Sequence, residues 1–207
     1  MTALAQSVSR PRTALFDAGL VIVGSLVIAG LAQVAVHLRF VPITGQTLGV
    51  LLVAATLGTA RGTGAVGLYL AEGAVGIPVF AEGRSGIEYL FLLDPLHVTG
   101  GYLWGFLLAA AVVGFLAQRG WDRRVGSALG AMFLGNLAIY LIGLPWLAAS
   151  LGIPVVEAAA TPCDLTTASG CDAVELGLYP FVVGDTIKLL LAAGILPAAW
   201  RLARRGG

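Results

Sequence analysis

The chain has 207 residues, of which 58% are hydrophobic and only 11% charged, whereas a soluble globular domain carries about 25% charged residues. That composition predicts an integral membrane protein, to be read with lipid as its solvent. A formal net charge of +1 argues against a nucleic-acid partner, because no basic excess exists to neutralise phosphates.

In chain order, residues 1–13 form a polar tail with Arg10 and Arg12. The apolar run behind it is long enough to span and shows no small-residue cleavage site, so the tail does not read as a cleaved signal peptide. Six spans are predicted, over 16–36, 46–60, 63–76, 100–118, 126–151 and 176–202. The second and third are shorter than the roughly 20 residues that cross a bilayer directly, and Pro42 and Pro78 flank them. Neighbouring loops must complete those crossings, and irregular backbone at membrane depth is tolerated only inside protein or beside a cavity. The 29 glycines fall inside apolar runs, where small residues let helices approach closely. The expected fold is an all-α membrane protein: one domain over 1–207, with six transmembrane helices in a compact bundle.

Basic residues set the orientation. With the N-terminus in the cytoplasm, the inner segments hold nine arginines (10, 12, 61, 119, 123, 124, 201, 204 and 205) and the outer segments hold two, Arg39 and Arg84. Both termini are therefore expected in the cytoplasm of a cell-membrane protein. The outer side carries Glu82, Glu88, Asp94, Glu157, Asp164, Asp172 and Glu175. Cys163 and Cys171 share one outer loop, on the oxidising side, where a disulfide can form. Two outer loops are long, 77–99 after the third span and 152–175 after the fifth. Long loops in compact proteins tend to be lids or binding loops, which puts the functional face outside.

Inside the last span lie Asp185 and Lys188. Charges within an apolar span are costly, about 2.5–3.5 kcal/mol each on insertion scales, and functional by default. At i and i+3 they stand about 60° apart on a helix. They can pair with each other and fasten the bundle, or both can reach one cavity.

Enzymatic readings fare poorly. Gly83-Arg84-Ser85-Gly86 matches a G-x-S-G pattern of intramembrane serine proteases. A serine nucleophile needs a base, and the two histidines, His37 and His97, both fall in outer loops. No cysteine or histidine spacing suits a metal, no Walker A pattern is present, and no resident cofactor is implied.

Four segments taken together resemble the BioY family, the biotin-capturing S subunits of energy-coupling factor (ECF) transporters. They are Val41-Pro42-Ile43-Thr44-Gly45-Gln46-Thr47-Leu48-Gly49, the run from Gly73 to Ala81 leading to Gly83-Arg84-Ser85-Gly86, Thr99-Gly100-Gly101-Tyr102-Leu103-Trp104-Gly105-Phe106, and Gly184-Asp185-Thr186-Ile187-Lys188. The resemblance covers about residues 14–200; residues 87–98 and the cysteine-bearing loop depart from the family's pattern. It implies a subunit that captures biotin and works with a transmembrane coupling subunit and a pair of ATPases that alone bind ATP. The ureido ring of biotin offers two N–H donors and a carbonyl acceptor, which suit Asp185 and Lys188. The valerate carboxylate suits Arg84, with the amides of Gly100 and Gly101 as helix-start donors. Gln46 and Asn136 can bond either end, though Asn136 equally suits a helix–helix bond. Tyr102 and Trp146 can pack on the thiophane ring or sit in an interfacial aromatic belt. In the family, an Ala-x-x-x-Ala such as Ala14 and Ala18 docks the coupling subunit; intramolecular packing is the plain alternative. Other readings are an S subunit for thiamine or riboflavin, a membrane hydrolase using Ser85, and a structural or channel-like bundle.

Overall fold

The structure is a computed structural model that describes residues 14–36, 40–93, 95–156, 163–164 and 167–203. The elements run α1 (Ala14–Ala32), β1 (Ala35–Val36), β2 (Ile43–Thr44), α2 (Gln46–Leu57), α3 (Thr59–Ala74), α4 (Glu88–Phe91), α5 (Gly100–Gln118), α6 (Val125–Leu151), α7 (Ala173–Gly177) and α8 (Val182–Ala203). Four helical segments are long and apolar enough to cross a membrane: α1, α5, α6 and Ala173–Leu202, which contains α7 and α8. At 12 and 16 residues, α2 and α3 rise only about 18 and 24 Å, short of the roughly 30 Å hydrocarbon core.

Helix α5 is the hub, the most buried of the four long segments. Its glycines let backbones touch. A side chain at Gly105 would meet the Ile139 carbonyl oxygen of α6 at 2.7 Å, and one at Gly114 would meet the Thr59 nitrogen at 2.6 Å. Helix α1 lies at the edge, with Leu15, Ile22, Val23, Leu26 and Val27 exposed. One ion pair ties it to α3, Arg61 Nη2 to Asp17 Oδ1 at 2.5 Å.

The element boundaries depart from the sequence reading in four places, one being the second helix, which ends at Leu57 rather than 60. The first helix stops at Ala32, and the chain then forms a two-residue antiparallel ribbon pairing Ala35 with Thr44 and Val36 with Ile43, so the fold is not wholly helical. The third helix begins at Thr59 rather than 63, because Gly58 alone turns the chain, at φ 80° and ψ −179°, a region side chains rarely adopt. The last long helix begins at Val182 rather than 176, because Pro180 lies in a 3-10 turn over Tyr179–Phe181, where its missing N–H is tolerated.

The described parts of both long connections are folded. In 77–99, Phe80 is buried and stands edge-on to Tyr69 and Tyr89, at centroid distances of 5.6 and 6.0 Å. Trp104 Nε1 donates to the Leu90 carbonyl at 2.7 Å and Trp146 Nε1 to the His97 carbonyl at 3.2 Å, which pins the segment to α5 and α6. In 152–175, Cys163 and Cys171 form a disulfide, and Asp172 with Glu175 makes a capping box on α7. Arg39, His37, Asp94 and Glu157 lie outside the described residues, as do the arginines at 10, 12, 204 and 205.

Candidate functional site

Asp185 stands in the first turn of α8, facing α6. Its Oδ1 accepts from Lys188 Nζ at 3.0 Å. Its Oδ2 accepts from Asn136 Nδ2 at 3.0 Å and from the Tyr140 hydroxyl at 2.5 Å. Asn136 and Tyr140 are four residues apart on α6, so they share one helix face. The Asp185 and Lys188 side chains are 8% and 12% exposed. A buried carboxylate with three donors is compensated for desolvation, and Lys188 is its charge partner.

The hub leaves capacity unused. A lysine carries three N–H donors; Asp185 is the one hydrogen-bond partner of Lys188 among the described residues. Asn136 Oδ1 is buried and has no hydrogen-bond partner there. A second polar group faces the same space. Thr44 Oγ1 donates to Gln46 Oε1 at 2.9 Å, and Gln46 Nε2 donates to the Tyr69 hydroxyl. The β-ribbon and the start of α2 place Thr44 and Gln46 there.

These groups line one cavity together with Val41, Phe80, Arg84, Tyr89, Thr99, Tyr102, Phe106 and Phe181. About 60 Å³ of it is open to the centre of a water-sized sphere, room for a few waters. Aromatic and apolar walls alternate with convergent polar groups, a make-up suited to a small molecule with a polar head. Arg84 Nη2 pairs with Glu82 Oε2 at 2.5 Å, and its side chain is 42% exposed. Glu82 is held at φ 63°, a left-handed conformation uncommon for a residue with a side chain. On the flank of the bundle a separate apolar crevice, walled by Phe133, Leu137, Leu141 and Val182, reaches the same Asn136, Tyr140 and Asp185.

Of the residues singled out in the sequence, Asp185, Lys188, Gln46, Arg84, Tyr102 and Asn136 come together around the cavity. Tyr102 donates its hydroxyl to the Gly177 carbonyl at 3.0 Å and stands edge-on to Tyr140. Gly100, Gly101 and Trp146 do not line it. The Trp146 ring fills the space beside Gly100 and Gly101, and the Gly100 amide donates to the His97 carbonyl at 3.3 Å. Ala14 and Ala18 are exposed on α1. Among the described residues, no base is hydrogen-bonded to Ser85. Sequence reasoning missed Tyr140, Thr44, Tyr89, Phe80 and Phe106. For Tyr140 the available signal was its i+4 spacing from Asn136; for Thr44, its place two residues before Gln46.

Comparison with known proteins identifies the family. Residues 5–205 match the BioY family. The chain is 34% identical over 182 residues to the biotin transporter BioY2 of Lactococcus lactis subsp. cremoris, covering 86% of this chain and 87% of that one. It is 38% identical over 164 residues to the biotin transporter BioY of Rhodobacter capsulatus, covering 76% and 78%. It is 36% identical over 169 residues to that of Thermotoga maritima, covering 82% and 86%. The crystal structure of the S-component for biotin from an ECF-type ABC transporter superposes with a TM-score of 0.69, covering 92% of this chain and 95% of that one. At 22% identity that likeness concerns the fold. From the match over nearly its whole length, and from relatives of comparable span, this chain belongs to the BioY family.

Proposed function

We propose that the chain is the biotin-capturing membrane subunit of an ECF-type uptake system. The observation that carries the reading is the hub of Asp185, Lys188, Asn136 and Tyr140 on one wall of a cavity that also has aromatic and apolar walls. A ureido ring needs a donor for its carbonyl and acceptors for its two N–H groups. Lys188 keeps two N–H donors for the carbonyl. The Asn136 Oδ1 and the remaining lone pair of the Asp185 carboxylate accept the N–H groups. A ligand without those groups leaves buried polar atoms unpaired, which is how such a site discriminates. Phe80, Phe106 and Tyr102 supply apolar area for the thiophane ring and alkyl chain.

At the exposed rim, Arg84 meets the valerate carboxylate once it exchanges Glu82 for the ligand. The cavity is narrow, so admission of a bicyclic vitamin requires 77–99 to swing outward and close again. In this reading α2 and α3, with their flanking segments, complete two crossings to make six, and both termini lie in the cytoplasm. The cavity then opens to the outside. The exposed Ala14 and Ala18 on α1 dock the transmembrane coupling subunit, whose ATPase pair supplies the energy.

Thiamine is the weaker alternative ligand, because a cation would meet Lys188. Riboflavin is larger than the cavity accommodates without rebuilding its aromatic wall. Titration of biotin, desthiobiotin, thiamine and riboflavin into the purified protein separates these. Saturable binding of the first two and none of the last two is expected; preference for thiamine or riboflavin would overturn the assignment. Biotin amide tests Arg84. Arg84→Ala should weaken biotin and leave the amide unchanged, and equal loss for both would remove the carboxylate role.

A further inference from the structure

A second polar cavity lies at the far end of α5 from the first, and capture of a vitamin makes no use of it. The 19 residues of α5 rise about 28 Å, so the two cavities stand roughly a bilayer core apart. The second measures about 550 Å³ and is lined by Arg119, Gly120, Arg123, Arg124, Gly126 and Ser127. Among the described residues no carboxylate forms an ion pair with any of the three arginines. The nearest acid in the chain, Asp122, is buried, does not line the cavity and accepts from Trp200 Nε1 through Oδ2.

The arginines are held in place by rings. The Arg119 guanidinium lies 3.3 Å above the Phe115 ring, and that of Arg123 lies 4.6 Å above Trp200. Stacking engages the guanidinium face and leaves its N–H edge for a ligand. Arg123 Nε is buried and has no hydrogen-bond partner among the described residues. The start of α6 adds further donors. Ala128 is the first residue of α6 whose amide bonds back, to the Arg124 carbonyl. No side chain caps the helix, because the Ser127 hydroxyl donates to the carbonyls of Trp121 and Arg124. The amides of residues 125–127 therefore lack helical partners. A side chain at Gly126 would meet nothing within 4 Å, so the floor is open.

We infer that this cavity binds the singly charged phosphodiester headgroup of an anionic phospholipid. Phosphate is the shared chemistry; the surroundings select a lipid as its source. Phe115, on which Arg119 stacks, and Trp121 and Val125, next in sequence to lining residues, are 48%, 37% and 49% exposed, which offers acyl chains a surface. Exposed tryptophan beside arginine at a helix end marks headgroup depth, and basic pockets between spanning helices hold anionic headgroups.

The test is native mass spectrometry of the full chain in detergent, titrated with phosphatidylglycerol or phosphatidylcholine, with inorganic phosphate as a competitor. Phosphatidylglycerol should bind about tenfold or more tightly than phosphatidylcholine. Arg119→Gln with Arg124→Gln should abolish that preference, and Arg124→Gln alone should reduce it. Arg201→Gln, at the same end but outside the cavity, should leave it unchanged, and thermal melting checks that each variant is folded. Equal binding of the two lipids, or a preference that survives in the folded double variant, overturns the site. Displacement of phosphatidylglycerol by millimolar inorganic phosphate overturns the lipid as its source.

Discussion

The two ends of α5 handle charge in opposite ways. At the cavity end, buried Asp185 pairs with the partly buried Lys188 and accepts from Asn136 and Tyr140. At the other end, Arg119, Arg123 and Arg124 gather without an ion pair to a carboxylate among the described residues, and Arg119 and Arg123 rest on aromatic rings. Burying an ion pair is costly unless geometry and extra hydrogen bonds compensate, and here they do. What remains unfilled is two acceptors, Asn136 Oδ1 and one lone pair of Asp185, and two donors of Lys188, a demand that a neutral polar ring meets. The arginine cluster lies at an interface, keeps its excess of positive charge and demands an anion. On the proposals above, burial and pairing separate a site for an uncharged ligand head from one for a phosphate.

Variants at the paired end should show the larger effects. Lys188→Met leaves Asp185 without its cation and removes the ureido carbonyl's donor. Biotin binding by calorimetry should weaken by about 3 kcal/mol, and an unchanged affinity would reduce the pair to a structural fastener. Asp185→Asn keeps the shape and removes the charge, for an expected loss of about 2 kcal/mol. Tyr140→Phe deletes one donor to Asp185 and should cost about 1 kcal/mol in binding; no change would mean the carboxylate is oriented without it. Glu82→Gln releases Arg84 from its competitor, a half-exposed pair of small worth. Biotin should tighten by about 0.5 kcal/mol and biotin amide should not; tightening of both would place the effect in the loop instead.

The smallest effect belongs to the arginine end. Burial pushes the Asp122 carboxyl above its ordinary 3.8, and the bond from Trp200 and the charge of Arg123 offset this only in part. A raised carboxyl favours the fold while protonated. That contribution is complete below about pH 4 and declines as pH rises through the raised value. Asp122→Asn stays neutral throughout, so its Tm relative to the parent should improve between about pH 4 and pH 7. A constant difference would show that Asp122 is not perturbed.

Much of this was legible in the sequence because lipid makes charge conspicuous. Asp185 and Lys188 stood out as the two charges within an apolar run, and α1, α5 and α6 emerged within a few residues of their ends. The β-ribbon was not legible, since four residues of pairing leave no periodicity, and Thr44 reaches the cavity through it. Tyr140 was hidden because a tyrosine in an apolar helix reads as an interfacial aromatic until its partner is known. Trp146 reads as packing on the thiophane ring or sitting in an interfacial belt, but Gly100 and Gly101 leave a space that its ring fills. The late start of α8 follows from Pro180, whose effect on one turn a run of hydrophobic residues conceals.

The central claim is that the paired hub recognises biotin. Calorimetric titration of biotin into the detergent-purified chain measures it directly. Saturable binding of one vitamin per chain is expected, weakened by about 3 kcal/mol in Lys188→Met while the variant still melts cooperatively. Absence of binding at micromolar biotin, or full affinity in that variant, would contradict it.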